Sequence, residues 1–423
     1  MHQQKNTSLF FYFSLGAIAV ELFLLRFFRR LLAPRTHITF GKWAAGFAQV
    51  VDFKLPENII THWFIKELQL CYWYYIAETA DEAEKKQYNQ VLNNFESRQR
   101  TEYVYSYPTR MSIEITRNCN LRCRMCPQDW LEVDKREISS QVIDAIKFLI
   151  PYQNYVAVFG FGESLTAPHF FEYLNRLSFH SQQTVALITN GVLMTPEVSQ
   201  KIVESPISEL LISIDTVDAE TYRFIRQANL FPKIVENIEQ FNRIKNNHKN
   251  QKPKLRLGFV AMRKNIEELP AFIRFAKKVN AADVDVGYLN VFSEELREQS
   301  LFYEPELANQ IFHESQRLAD ELQIRLNIPE LNEHPEKCCL EPWQFVYINS
   351  DGTITPCCIN ISILGDLTQT DFLAIWNNQR YQQLRRQMNT ATEPYRCRYC
   401  FDCRYKNISN IEQHFIVVEP GPR

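Results

Sequence analysis

The chain has 423 residues and a formal charge of −2, with hydrophobic residues at 45% and charged ones at 23%. That length exceeds one ordinary core, so two or more domains are expected. The composition excludes wholesale disorder, and the near-neutral charge excludes a global pull toward nucleic acid.

Along the chain, 9–25 is apolar apart from Ser14, Gly16 and Glu21, and Arg26, Arg29 and Arg30 follow. The run is short of the roughly 20 residues that span a bilayer. Three readings stay open: an interfacial amphipathic helix, a span with its basic flank in the cytoplasm, or a helix packed on the protein. Membrane contact through residues 9–32 is therefore one expectation. Residues 35–108 read as helical and aromatic-rich, without chemistry. Within them Asp81 to Arg100 is charged and polar, which predicts a solvated helix.

From residue 110, short β-rich runs alternate with amphipathic helical ones. The strands are expected at Met111–Ile115, Tyr155–Phe159, Val185–Ile188, Leu210–Ile214, Leu255–Val260 and Val284–Tyr288. Helices such as Ser140–Leu149, Pro168–Leu177 and Glu267–Val279 lie between them. Six βα repeats imply a parallel sheet wrapped by helices, an α/β fold. Six units fall short of a closed eightfold barrel. The expected fold is a partial (β/α)6 TIM-like barrel with an N-terminal helical extension and a small C-terminal cysteine-rich domain. An open doubly wound sheet is the alternative. After about residue 330 the alternation stops. Phe345–Ile348, a Ser350-Asp351-Gly352 turn and Thr353–Thr355 read as a hairpin, followed by a helix from Asp371 to Met388 and a cysteine-rich turn. The expected divisions are 1–34, 35–108, 109–330, 331–408 and 409–423.

The 11 cysteines carry the chemistry. Three fall at Cys119, Cys123 and Cys126, seven lie between Cys338 and Cys403, and Cys71 stands apart. An odd count with tight spacing points to metal or cluster ligation in a reducing compartment rather than to disulfides. Cys119-Asn-Leu-Arg-Cys123-Arg-Met-Cys126 directly follows the first expected strand. Thiolates suit iron–sulfur clusters and zinc. A self-contained [4Fe–4S] site takes four thiolates. Three leave one iron open to a substrate or cofactor, whereas a distant histidine would complete a zinc loop. Further motifs sit at successive C-terminal strand ends: Gly160-Phe161-Gly162-Glu163, Thr189-Asn190-Gly191, Ser213-Ile214-Asp215 and Ala261-Met262-Arg263. Each alone is an ordinary turn or helix cap, but together they line the rim where parallel βα folds place active sites.

These motifs together resemble those of the radical S-adenosylmethionine (SAM) enzymes, over roughly residues 110–330. The resemblance implies that Cys119, Cys123 and Cys126 hold a [4Fe–4S] cluster whose open iron is chelated by SAM. It implies that Gly162 and Glu163, with Gly160 preceding, form the element that holds the methionine amino group. Ser213 and Asp215 would then contact the ribose, and Asn190 and Met262 would lie near the cofactor. Two departures are plain: Phe161 replaces the first glycine of the usual pair, and Met125 stands where an aromatic residue commonly covers adenine. The implied reaction is reductive cleavage of SAM to a 5′-deoxyadenosyl radical that takes hydrogen from a substrate.

The tail resembles the SPASM/Twitch extension, which carries auxiliary clusters. Cys339 and Gly352 are followed by Cys357, and Cys397-Arg-Tyr-Cys400-Phe-Asp-Cys403 closes the pattern. The resemblance implies one auxiliary [4Fe–4S] cluster on Cys339, Cys357, Cys397 and Cys400, with Cys403 as the runner-up ligand. A structural zinc ribbon is the alternative. Relatives with such tails modify ribosomally made peptides or oxidise small alcohols and sugars. The expected partners are thus a peptide or small-molecule substrate and an electron donor such as flavodoxin or ferredoxin, with no nucleic acid. The expected location is cytoplasmic, free or attached to the inner face of the membrane. No residue pattern names a catalytic hydrogen donor or base. The rival class is a non-catalytic iron–sulfur or zinc scaffold.

Overall fold

The computed structural model describes Gln69 and residues 82–129, 136–248, 251–328, 339–394 and 397. The expected membrane-contact segment 9–32, Cys71, Cys338, Cys400 and Cys403 lie outside the described residues. No helix among the described residues is long and apolar enough to cross a membrane. The chain divides into two compact units, the first ending at Tyr107 and the second starting at Pro108.

In the first unit, helix α1 (Glu82–Gln99) forms as expected but is not solvated all round. Asn89, Leu92, Asn93, Phe95, Glu96 and Ser97 are buried. Their polar groups serve as partners for the returning chain, which is why a charged sequence can bury a face. Asn89 exchanges hydrogen bonds with the Tyr107 backbone at 2.8 and 3.1 Å. The Glu96 carboxylate accepts from Gln69 Nε2 (2.7 Å), Tyr105 N (2.7 Å), Ser106 N (3.1 Å) and Ser106 Oγ (2.5 Å).

Burial pushes the Glu96 pKa above the usual glutamate value, against the pull of its donors. A pKa raised by folding contributes stability that is complete below the ordinary glutamate value and is lost as pH rises through the folded one. Relative to a Glu96→Gln variant, the parent should therefore be most stable in acid and lose that advantage as pH rises from the ordinary glutamate value of about 4.5 through the raised folded one. Paired thermal melts across that window test this; a gap that does not change with pH would refute it.

In the second unit, parallel strands β1 (Arg110–Ile113), β2 (Tyr155–Val158), β3 (Thr184–Thr189), β4 (Glu209–Ser213), β5 (Lys254–Ala261) and β6 (Asp283–Tyr288) lie side by side in chain order. Sequential order excludes the doubly wound alternative, in which the order reverses at a switch point. A seventh parallel strand, β7 (Arg325–Asn327), follows β6. Three residues are too few to leave a readable alternation. Strand β8 (Phe345–Ile348) pairs in parallel with β1, and β9 (Thr353–Thr355) and β10 (Gly365–Asp366) continue antiparallel. The expected hairpin thus extends the main sheet, whose edges are β7 and β10.

One face of β4–β6 is sealed by Leu210, Ile212, Leu255, Leu257, Phe259, Val284 and Val286, all buried. The opposite face is more open and polar, carrying Glu209, Ser213, Arg256, Asp285 and an exposed Gly287. There Arg256 grips Asp285 through two bonds, of 2.6 and 2.9 Å, and also pairs with Glu209.

The helix expected from Asp371 to Met388 is two, Phe372–Trp376 and Gln379–Gln387. The break places buried Trp376 against Phe372 and Tyr381, with ring centroids 5.6 and 4.8 Å away. Asn378 makes the break affordable: its Oδ1 accepts from Tyr381 N (2.9 Å), capping the second helix, while its Nδ2 donates to Leu364 O (2.7 Å).

Candidate active site

The cysteine loop leaves β1 and is fastened to the segments after β2 and β3 and to the helix after β4. Asn118 O accepts from Glu163 N (2.8 Å), and Asn120 Oδ1 accepts from Asn190 Nδ2 (2.8 Å). Arg124 N donates to Ile225 O (2.8 Å) at the end of the helix Ala219–Arg226, and its guanidinium lies 4.4 Å from the Phe224 ring centroid. Cys123 and Cys126 open onto a cavity also lined by Arg122, Gln227, Ser293 and Leu296.

Burial raises the Cys119 pKa, with Glu163 and Cys123 adding to it. Burial and then the neighbouring Cys123 and Cys119 push the Cys126 thiol up to about 12. Thiols so placed hold their protons until a metal displaces them, which couples deprotonation to loading. Among the described residues no three His, Cys, Asp or Glu side chains are grouped as a cage for a single metal ion.

The Gly160–Glu163 segment fits against this loop with no room to spare. A Cβ on Gly162 would lie 2.1 Å from Thr116 O, and one on Gly160 would lie 2.3 Å from Glu114 Cγ. Any larger residue at 162 would push its Cβ into the Thr116–Arg117 backbone. Glu163 is buried, and its carboxylate turns inward rather than toward the cavity. It accepts from Thr189 Oγ1 (2.8 Å), Asn190 N (2.8 Å) and Leu165 N (3.2 Å). Burial raises its pKa despite these donors. This side chain binds one rim loop to the next.

Ser213 and Asp215 separate in the structure. Ser213 ends β4 half-buried on the open face. Asp215 is fully buried in a left-handed conformation (φ 69°), with Oδ1 accepting from Val260 N at 2.8 Å and Oδ2 paired with Arg226. Its carboxylate points into the protein, so the expectation that it touches ribose is corrected. The cause is a buried guanidinium that the sequence reading did not consider.

Met262 is also buried, in a cluster with Ile225, Leu289, Val291 and Leu296, against which Met125 packs. Met125 thereby gives the loop a soft apolar surface where an aromatic residue is common. Asn265 holds this corner, donating to Asp215 O (2.8 Å) and Val260 O (2.9 Å) and accepting from Met262 N (2.8 Å).

Arg226 is the main residue that sequence reasoning missed. Its Nη1 lies 3.5 Å from Cys123 Sγ, and it is buried beside Asp215. Burial opposes its charge, but Asp215 and Cys123 outweigh that and hold its pKa above the usual arginine value. Arg226 Nε and the buried Tyr222 hydroxyl have no hydrogen-bond partner among the described residues. Orphaned polar atoms beside a soft-ligand loop are what a site built for a charged, polar cofactor presents. The available signal was an arginine four residues after Tyr222, on the same face of a short helix.

A second missed residue is Glu114, buried between the loop and the C-terminal hairpin. It accepts from Arg117 Nε (2.7 Å), Phe161 N (3.0 Å), Ser350 N and Oγ (both 3.2 Å) and Tyr347 Oη (3.3 Å). Arg117 in turn donates to Asn349 Oδ1 (2.9 Å).

Beyond that hairpin, Cys357 and Cys397 come together. Asn360 N donates to Cys357 Sγ and Asn360 Nδ2 to Cys397 Sγ, both at 3.2 Å. Cys339 is buried, and its backbone exchanges two hydrogen bonds with Asn389, at 3.0 and 2.9 Å. Cys358 packs with Ile359, Phe292 and Cys357.

The radical SAM superfamily profile matches residues 113–276, and that of the SPASM iron–sulfur cluster-binding domain matches 338–404. The AdoMet-dependent heme synthase of Methanosarcina barkeri is 23% identical over 356 residues, 75% of this chain and 98% of that protein. The mycofactocin maturase MftC of Mycolicibacterium smegmatis is 29% identical over 175 residues, 41% of this chain and 43% of that one. Streptococcus suis SuiB bound to S-adenosylmethionine has the same fold, with a TM-score of 0.53 at 15% identity over 78% of this chain and 80% of its own. With both profiles falling on the cysteine motifs, the chain belongs to the radical SAM enzymes and carries a SPASM auxiliary-cluster domain, so [4Fe–4S] clusters and S-adenosylmethionine are its cofactors.

Proposed function

We propose that this enzyme matures a peptide, with Cys119, Cys123 and Cys126 ligating the SAM-binding cluster. Cys339, Cys357, Cys397 and Cys400 ligate one auxiliary cluster, Cys403 being the alternative to Cys400. When loaded, the cofactors supply a 5′-deoxyadenosyl radical that takes a hydrogen atom from substrate. The chain's own residues position and shield. The main chain of Gly160–Glu163 holds the methionine end of SAM, with Asn190 fixing the neighbouring loop. Ser213 faces the ribose, and Met125 and Met262 form the apolar side of the pocket. Arg226 provides fixed positive charge beside Cys123. The observation that carries this reading is the interlocked rim: one cysteine loop is hydrogen-bonded to the ends of β2, β3 and the helix after β4.

A peptide substrate is favoured because SuiB was also solved bound to its precursor peptide SuiA, and that structure aligns with 87% of this chain. Oxidation of a small alcohol or sugar is the alternative. We assign 109–330 to the catalytic core and 331–408 to the auxiliary domain, with 1–34, 35–108 and 409–423 as separate segments. A flavodoxin or ferredoxin supplies electrons in a reducing, cytoplasmic setting, and residues 9–32 attach the chain to the membrane face.

Anaerobic purification should give about eight iron atoms per chain, and about four after Cys119, Cys123 and Cys126 are all replaced by Ala. Dithionite and SAM should yield 5′-deoxyadenosine with the parent and none with Cys123→Ala. A fully loaded parent that makes none would sink the reading. Removing residues 1–34 should move the protein from the membrane fraction to the supernatant; an unchanged distribution would remove the membrane claim alone.

A further inference from the structure

We propose that Asn360 sets the reduction potential of the auxiliary cluster, donating hydrogen bonds to two of its ligand sulfurs and so easing its reduction. This rests on the assignment of Cys357 and Cys397 as ligands. Asn360 is 2% exposed and presents both of its nitrogens to sulfur: the backbone N–H to Cys357 Sγ and an Nδ2–H to Cys397 Sγ, each at 3.2 Å. Its amide orientation is fixed independently, since Oδ1 accepts from Ser362 N at 3.1 Å. The amide therefore cannot turn its oxygen to Cys397 without losing that bond.

Hydrogen bonds to ligand sulfur are a principal means by which a protein tunes an iron–sulfur potential. An N–H dipole aimed at sulfur stabilises the extra negative charge that the cluster takes up on reduction. The setting strengthens the effect: Cys357 packs with Phe292 and Cys358 against the buried Ile359, and apolar neighbours weaken charge screening. One residue thus ties together two cysteines 40 positions apart, with its backbone N–H on one and its side-chain amide on the other.

The test uses the full chain with Cys119, Cys123 and Cys126 replaced by Ala, so that only the auxiliary cluster is present. Its midpoint potential is read by electron paramagnetic resonance during titration with dithionite, which supplies one electron to take [4Fe–4S]2+ to [4Fe–4S]1+. Asn360→Leu, which loses the side-chain donor, should shift the midpoint to a more negative value. Asn360→Asp, nearly isosteric but negative and without that donor, should shift it further in the same direction. Loaded variants that titrate at the parent's midpoint overturn the proposal. It is also overturned if Asn360→Asp cannot hold iron where the parent does, since Asn360 would then serve assembly rather than potential. If the background chain itself holds no iron, the ligand assignment fails first.

Discussion

Glu114→Ala should destabilise the Pro108–Arg423 unit by about 3–5 kcal/mol, the range for removing one partner of a buried ion pair. Glu114 is wholly buried, and Arg117 beside it is about one-tenth exposed. Truncation leaves the guanidinium facing an emptied site together with four donors, Phe161 N, Ser350 N, Ser350 Oγ and Tyr347 Oη. Those donors come from three parts of the chain: the SAM-rim loop after β2, strand β8 and the turn after it. Their loss should therefore loosen the Gly160–Glu163 segment and the cysteine-bearing hairpin together. Two readings check this. Urea unfolding measures the stability, and iron content after desalting should fall at both clusters. Tyr347→Phe, which removes a single long hydrogen bond, is the companion variant and should cost only about 1 kcal/mol. A Glu114→Ala protein within about 1 kcal/mol of the parent would show that the donors find other partners.

The same residue shows what the sequence could and could not reveal. The strand around it was legible because Met111, Ile113 and Ile115 alternate with smaller or polar residues, and all three are buried. Glu114 itself was legible only as an interruption. Its partners at 347 and 350 are more than 230 positions away, and no local period carries that distance. The cysteine loop was readable because its three cysteines lie within eight residues. Its fastening to Ile225 was not, since it depends on which helix end packs beside it.

Asp215 illustrates a different limit. Its place after β4 was read correctly, but the direction of its carboxylate follows from Arg226, eleven residues on. Likewise the run of charges in 82–99 described the exposed half of that helix and hid Glu96, whose partners at 105 and 106 follow the helix end. Periodicity reports where apolar groups go; it is silent about polar groups buried because they are satisfied.

Arg226→Gln should lower 5′-deoxyadenosine formation by about 10²–10³-fold, the usual cost of removing one preorganised electrostatic group. Two different causes would give that loss. The variant removes positive charge from beside Cys123, and it also strands the Asp215 carboxylate in the interior. Burial already raises the Asp215 pKa, with Arg226 and the Val260 N–H opposing it. Without Arg226 the group should take up a proton or disrupt the β4–β5 corner.

The double variant Arg226→Gln/Asp215→Asn separates the two causes. Neutralising both partners removes the stranded charge, so stability should return toward the parent's while activity stays low. Arg226→Lys should recover part of the activity, because a point charge replaces the fork without its geometry. If the double variant regains both stability and 5′-deoxyadenosine formation, Arg226 serves only to balance Asp215. Persistent inactivity in a well-folded, iron-replete double variant would instead place its charge in the chemistry at Cys123.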